Sequence, residues 1–211
     1  SAIFSSNVPT YWGDQPILEA PAYVGITVVF LSFFTIFISP LRKKYIWIYF
    51  GILLSLLLSW GKNFNFLTEI FVEYFPLYNK FRAVSSIQVI LEFCFPILAT
   101  ISFYSFFEIP KNKLFSPLIK LYLSFLVFLI LIYFSSFTLS FSSPTDSYYG
   151  QIFGLEIMQL IKKTRIEIFK YDVLRAIFFI SLVFMTLFLF LKNKLSSRIT
   201  FTLVFSFVFL I

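Results

Sequence analysis

Long apolar runs constrain the fold of this chain more than any other feature. The run at residues 118–141 consists almost entirely of Leu, Ile, Phe and Val. A helix needs about 20 apolar residues to cross a bilayer core, so this run is typical of a transmembrane helix. Further apolar runs lie at 22–38, 45–59, 84–107, 173–191 and 199–211. The sequence therefore predicts an all-α fold, a polytopic transmembrane helical bundle with about five full spans and a truncated sixth, forming one transmembrane domain over 1–211.

The composition agrees with a membrane protein and excludes a nucleic-acid partner. Hydrophobic residues make up 59% of the chain and charged residues 13%, whereas soluble domains average about 45–50% and 25%. The net charge of +7 comes from cations placed mainly at the ends of apolar runs, where they orient helices and contact anionic headgroups. Membrane lipids are therefore the expected partners.

Few residues are available for redox, metal or acid–base chemistry. The chain has no histidine, and its single cysteine, Cys94, lies inside an apolar run. A disulfide framework is excluded, and we expect no metal site and no cofactor.

Three polar stretches separate the spans, and two of them predict amphipathic interfacial helices. The stretches are 1–21, 60–83 and 142–172. In the second, aromatic and aliphatic residues recur at three- and four-residue steps with Glu69 and Glu73 turned away; the recurring residues are Phe64, Leu67, Phe71, Tyr74 and Tyr78. In the third, residues 151–169 alternate apolar side chains with a polar set that includes Arg165. Both patterns indicate helices lying along a membrane interface.

Charge in the short turns predicts the orientation of the chain. The turns after the first, third and fifth spans hold nine cations and one nearby acid, Glu108, against eight cations and most of the acids on the other side. Cytoplasmic loops carry the excess of Lys and Arg, so the short turns are expected to be cytoplasmic and the three polar stretches to lie outside. Because the chain starts at Ser1 and its last apolar run has only 13 residues over 199–211, we expect it to be a piece of a longer protein.

Cations around the second stretch are the first candidate site. Lys62 leaves one span, while Lys80 and Arg82 approach the next. One interpretation is an ordinary interfacial loop. The other is that these cations form the wall of a site for an anionic ligand at the membrane surface.

Glu92 is the second candidate, because a carboxylate within a span is costly unless it is paired, hydrated or protonated. Gln88, Glu92 and Pro96 are four residues apart and share a helix face. The stripe predicts a polar path into a cavity open to the outer side; the alternative is a structural carboxyl, buried and bonded to a neighbouring helix.

Asp172 and Arg175 form the third candidate, at the outer end of the fifth span. Their spacing fits a carboxylate that stabilises a helix start and pairs with the arginine. Alternatively, Arg175 meets a phosphate, which its forked guanidinium suits. Asp14 lies near a membrane boundary, where a solvated loop is the simpler interpretation.

Three sequence blocks resemble YfhO-type bacterial membrane proteins. The blocks are Tyr-Trp-Gly-Asp-Gln-Pro at 11–16, Leu-Leu-Leu-Ser-Trp-Gly-Lys-Asn at 56–63 and Tyr-Asn-Lys-Phe-Arg-Ala-Val-Ser at 78–85, followed by Asp-x-x-Arg at 172–175. The resemblance covers nearly all of the chain but only a middle-to-late part of a family member.

The resemblance implies a multi-pass protein of the bacterial inner membrane, similar to GT-C glycosyltransferases, that acts on a polyprenyl-phosphate-linked sugar at the outer face. The catalytic acid of such proteins lies in an early loop, upstream of this piece, so no catalytic residue is assigned here. The resemblance assigns the lipid-phosphate side to Lys62, Lys80 and Arg82, with Asp14 nearby. Two alternatives remain: a non-catalytic accessory subunit associated with other membrane subunits of an envelope complex, and a transporter using Glu92.

Overall fold

The fold is all-α throughout the described part of the chain, which confirms the predicted fold class. A computed structural model describes residues 23–76, 78–80, 84–143 and 146–209. Its α-helices are α1 (Ile26–Phe37), α2 (Ser39–Ser59), α3 (Asn65–Tyr74), α4 (Val89–Glu108), α5 (Phe115–Ser135), α6 (Asp146–Phe153), α7 (Leu155–Leu191) and α8 (Ser197–Phe209). Short 3₁₀ helices lie at Gly61–Phe64, Tyr78–Lys80, Val84–Gln88 and Lys111–Lys113.

Contacts divide the chain into two compact units. Unit I contains the described residues of Ala22–Leu123 and Ile180–Ile211, and unit II contains Ser124–Phe179 apart from its undescribed positions. Unit I holds α1 to α4, the start of α5, the end of α7, and α8. Unit II holds the remainder of α5 and α7 together with α6.

Three helical segments in the described ranges are long and apolar enough to cross a membrane: Ser86–Glu108, Lys111–Ser135 and Leu155–Leu191. They overlap the predicted third and fourth spans, 84–107 and 118–141, and contain the predicted fifth, 173–191. The predicted second span, 45–59, lies within α2, which is not among these three segments. The first and last predicted spans correspond to shorter apolar helices, Ile26–Phe37 and Ser197–Val208. The chain thus has the helices of a membrane protein.

The basic stretch after the first span is helical, which corrects the predicted turn. Ile38 is extended, with φ −106°, and interrupts the helix between α1 and α2. Pro40 then occupies the first turn of α2, where its missing N–H breaks no helical hydrogen bond. Arg42, Lys43 and Lys44 follow within α2, because Arg and Lys are good helix formers once the helix has begun.

The short helix α1 is held by close packing and by polar contacts with α2 and α4. Ser32, Thr35 and Ser102 are all 0% exposed. The Tyr49 hydroxyl of α2 donates to the Ser32 carbonyl and lies 2.8 Å from Thr35 Oγ1. Ser102 Oγ of α4 donates to the same carbonyl over 3.3 Å. Small residues let apolar helices approach closely, and their hydroxyls supply bonds between the helices.

Helix α7 is one continuous element of 37 residues, so the predicted amphipathic helix and fifth span are not separate. It ends where Asn193 adopts a left-handed conformation, with φ 58°. The Lys194 N–H donates to the Leu189 carbonyl over 2.9 Å, which satisfies an end carbonyl in the Schellman manner. Lys111 Nζ also donates to the Phe190 carbonyl over 2.9 Å and to Asn193 Oδ1 over 2.6 Å. A lysine from the turn after α4 therefore caps α7.

The amphipathic helix predicted after α2 is present as α3, with a different apolar face from the one expected. Leu67 and Phe71 are half-buried, but Tyr74 is 76% exposed. Phe66 and Ile70 are exposed too, so an outward stripe runs along α3 at four-residue steps. The inward face is fixed by the Thr68 hydroxyl, which donates to the Gly61 carbonyl over 2.9 Å.

Candidate functional site

In the described ranges, the polar cluster with the clearest geometry is a buried ion pair in unit II. Arg165 of α7 is 0% exposed and Asp146, the first residue of α6, is 9% exposed. Arg165 Nη1 donates to Asp146 Oδ2 and Nη2 donates to Oδ1, each over 3.0 Å. The two parallel bonds form the bidentate geometry that makes arginine–carboxylate pairs strong and directional.

The pair ties the chain segment between α5 and α6 to α7. Arg165 Nη1 donates a further bond to the Phe141 carbonyl over 2.9 Å, and the Ser143 N–H donates to Asp146 Oδ2 over 2.8 Å. Phe141 has φ 46°, a left-handed conformation that is uncommon for an aromatic residue. Its ring is buried edge-on to Phe169 at 5.4 Å. The guanidinium and the ring together hold this backbone conformation in place.

Electrostatics keep the Asp146 carboxyl ionised. Burial by itself would raise its pKa, but the hydrogen bonds from Arg165 and the Ser143 N–H, with the positive charges of Arg165 and Lys162, outweigh that effect and lower the pKa below the usual value. The carboxylate accepts from both guanidinium nitrogens and a backbone N–H, so its ordinary role is structural. The cluster binds the protein's own backbone rather than presenting an open site.

We expect unit II to lose stability in acid. Because the folded-state pKa of Asp146 is lowered, its contribution to stability is complete above the unfolded value of about 3.9 and is lost as the pH falls through the folded value. Hydrogen exchange of amides at 139–153, followed by mass spectrometry from pH 6 to pH 3, should show this loss. In Asp146→Asn, the part of the stability loss that depends on acid should disappear. An unchanged pH profile of hydrogen exchange in that variant would contradict the assignment.

Sequence reasoning missed this pair because Arg165 was grouped with the polar residues of an amphipathic run, and that interpretation is wrong. Met158, Ile161, Arg165 and Val173 are all buried. Arg165 is four residues after Ile161 and seven after Met158, so it belongs to the apolar face. An arginine at a core position of a helix is the signal that predicts a buried partner.

The predicted cationic wall is only partly described. Arg82 and Asp14 lie outside the described residues, as does the side chain of Lys62. Lys80 is exposed in the 3₁₀ helix Tyr78–Lys80. The convergence of Lys62, Lys80 and Arg82 on an anionic ligand therefore stays a prediction.

Glu92 is exposed in the first turn of α4. It lies about two turns after the start of the segment Ser86–Glu108, as expected. Its carboxyl is not buried within this chain. Its predicted neighbour on the stripe, Gln88, is half-buried and donates from Nε2 to Ser59 Oγ over 3.2 Å. The stripe therefore contributes a link between α2 and the start of α4.

Asp172 and Arg175 are exposed in the middle of α7. The prediction that Asp172 stabilises a helix start is wrong, because the helix begins at Leu155, more than four turns earlier. The N-terminal dipole acts only within the first turn. The Arg175 guanidinium lies 5.9 Å from the centre of the Phe179 ring, a cation–π arrangement.

Within the described ranges, no group of three or more Cys, Asp or Glu residues is placed to hold a metal ion. Comparison with protein families, with curated proteins and with solved structures finds no match for this chain. The resemblance to YfhO-type proteins therefore rests on the three sequence blocks and the Asp-x-x-Arg motif alone.

Proposed function

We propose that this chain is the membrane part of a glycosyltransferase-like protein that acts on a polyprenyl-phosphate-linked sugar at the outer face of the inner membrane. The observation that carries the proposal is α3, a short helix in the connection between α2 and the span Ser86–Glu108. Phe66, Ile70 and Tyr74 are exposed along one of its faces. Apolar and aromatic side chains in this position suit the boundary between acyl chains and headgroups.

A lipid-linked sugar would present its prenyl chain and its phosphate at this same depth. The exposed stripe of α3 offers apolar and aromatic contacts to a prenyl chain, and Lys80, six residues after the end of α3, is an exposed cation. A fixed cation at the interface attracts a phosphate. Sugar transfer itself needs carboxylate acid–base or charge stabilisation rather than histidine or thiol chemistry, so the absence of histidine is no obstacle to the proposed role.

A second candidate function, a structural subunit of an envelope complex, is favoured by the Asp146–Arg165 pair. That cluster is buried, bidentate and bonded to backbone groups, as expected of an element that holds a fold together. The transporter alternative depends on Glu92, and the position of this residue in an exposed first turn gives that alternative less support than a buried acid would.

The test is complementation by the full-length protein, with envelope glycan measured by mass spectrometry. We expect Lys80→Ala and Arg82→Ala each to reduce the glycan product at least tenfold, since a charge-assisted bond to phosphate contributes about 1.5–3 kcal/mol. Lys163→Ala, which removes an exposed cation of unit II, is the matched control and should retain the product. Equal membrane abundance of all variants is required.

Unchanged glycan in both Lys80→Ala and Arg82→Ala would reject the proposed phosphate site. The structural subunit would then be the better supported of the two functions. A Glu92→Gln variant tests the third hypothesis, which is the transporter. A proton-coupled transport activity lost only in Glu92→Gln would favour the transporter.

A further inference from the structure

A groove in unit I lies between the end of α4 and the start of α8. It has a volume of about 490 Å³ and is lined by Phe107, Ser197, Arg198, Phe201 and Thr202. This volume is within the range of about 300–1,000 Å³ found for small-ligand sites. Its lining is amphipathic and combines an arginine and two hydroxyl residues with two phenyl rings.

The groove lies at the end of a membrane span. Phe107 is the second-last residue of the candidate span Ser86–Glu108, and Ser197 begins the apolar helix Ser197–Val208. The groove therefore falls where a lipid headgroup meets the acyl chains. It is separate from α3, which precedes the other end of the same span.

The polar residues of the groove suit a phosphate. Arg198 carries a forked, permanently charged guanidinium. Ser197 and Arg198 are the first two residues of α8, and the first N–H groups of a helix point towards its N-terminal end without helical acceptors. The Ile199 N–H donates to Ser196 Oγ over 3.4 Å, which caps the start of α8.

The surrounding charge favours an anion. The turn after α4 contacts the turn after α7 through the bond from Lys111 to Asn193, and the latter turn leads directly into α8. These two turns and the groove hold five cations and one acid, Glu108; the cations are Lys111, Lys113, Lys192, Lys194 and Arg198. Basic pockets between helices at a membrane surface are typical sites for anionic lipid headgroups.

Aromatic rings of α4 and α8 continue from the groove along α8. Phe103 and Phe201 are 5.7 Å apart, and Phe201 stacks on Phe205 at 5.9 Å. Phe201 and Phe205 are each about half exposed. The rings run from the polar end of the groove towards the middle of the helix, where an acyl chain attached to the phosphate would lie.

We propose that this groove binds one anionic phospholipid, with its phosphate at Arg198 and the start of α8 and its acyl chain along Phe201 and Phe205. The site is independent of the function proposed above: it is formed by different residues at the opposite end of the Ser86–Glu108 span. The lipid would fasten α8 to α4 at the membrane surface.

The test uses the purified chain in detergent, with lipid binding measured by native mass spectrometry against phosphatidylglycerol and phosphatidylcholine of identical acyl chains. The wild-type chain should retain one phosphatidylglycerol in preference to phosphatidylcholine. Arg198→Gln should weaken phosphatidylglycerol binding at least tenfold. Arg198→Lys should be intermediate, because a lysine keeps the charge without the fork. Lys43→Gln, which removes an exposed cation of α2, should bind within about twofold of wild type, because long-range charge alone contributes little.

Equal losses in Arg198→Gln and Lys43→Gln, or no preference for phosphatidylglycerol, would overturn the proposal, because binding would then follow net charge. Displacement of the lipid by millimolar inorganic phosphate would overturn it too, in favour of a site for free phosphate. Circular dichroism and elution volume identical to wild type ensure that a loss in Arg198→Gln reports the groove. Unimpaired binding by a folded Arg198→Gln would likewise reject the site.

Discussion

Asp146→Asn is expected to lower the free energy of unfolding of unit II by about 3–5 kcal/mol. The substitution keeps the shape of the side chain but leaves the charge of Arg165 buried without its counter-ion, and uncompensated buried charges cost this much. The segment between α5 and α6 should open so that water reaches the guanidinium. This segment has two other anchors, the Phe141 carbonyl bonded to Arg165 and the Phe141 ring against Phe169. Each of them is weaker than the ion pair.

The measurement is amide hydrogen exchange of peptides at 139–153 near neutral pH, in detergent or in nanodiscs. Asp172→Asn is the matched control, since it removes an exposed carboxylate of the same α7-containing unit and should change protection by less than about 0.5 kcal/mol. Equal protection in Asp146→Asn and wild type would show that the pair does not hold this segment.

A double variant separates the value of the pair from the cost of breaking it. Asp146→Leu with Arg165→Met replaces the pair by apolar side chains of similar size, and such exchanges are often neutral or stabilising by about 1–4 kcal/mol. The double variant should therefore recover most of the stability lost in Asp146→Asn. If it is as unstable as the single variant, the hydrogen bonds to Phe141 and Ser143 contribute more than the charge pairing does.

The helices themselves followed from the sequence, because their signals are local. Apolar runs of adequate length predicted the three segments that are long and apolar enough to cross a membrane, and the three-to-four-residue spacing of aromatic residues predicted α3. The errors lie at helix boundaries and in the assignment of buried faces. Pro40 was interpreted as the end of a span followed by a turn, yet proline is equally compatible with the first turn of a new helix. Asp172 was placed at a helix start, although the residues before it form a continuous helix.

Only one partner of the ion pair, Arg165, could be predicted from the sequence. The position of Arg165 on the apolar face of α7 indicates a buried partner, but its partner is nineteen residues away, and the intervening chain must fold before the two meet. Several other acids of the third polar stretch, among them Glu156 and Glu167, fit the sequence equally well as partners. Only the left-handed conformation of Phe141 and the placement of α6 select Asp146, and neither has a local sequence signal.

The groove at Arg198 illustrates the same limit. A basic turn before the last apolar run was evident from the sequence, and its cations were explained by membrane orientation. The cavity depends on how Phe107 of α4 faces Phe201 and Thr202 of α8, a contact between helices almost a hundred residues apart. Side-chain chemistry was therefore visible in the sequence, whereas the open groove formed by the two helices was not.

Phe106→Ala is expected to lower the free energy of unfolding of unit I by about 3–5 kcal/mol. Phe106 is 1% exposed, and its ring centre lies 5.5 Å from that of Phe34 in α1 and 5.7 Å from that of Phe190 in α7. Removing the ring leaves a cavity where three helices meet. Lipid supplies no hydrophobic force between helices, so their association depends on the van der Waals contacts that this cavity removes.

Phe93→Ala is the matched control, because Phe93 lies on the same helix but is 70% exposed. Its ring contacts lipid whether or not the helices are associated, so its loss should cost less than about 1 kcal/mol. Denaturant unfolding in detergent, followed by tryptophan fluorescence in a Trp12→Phe background so that the signal comes from Trp47 and Trp60 of unit I, measures both variants. A cost in Phe106→Ala no larger than in Phe93→Ala would mean that α1 and α7 are held to α4 by the polar bonds at Ser32 and Lys111 rather than by the packed rings.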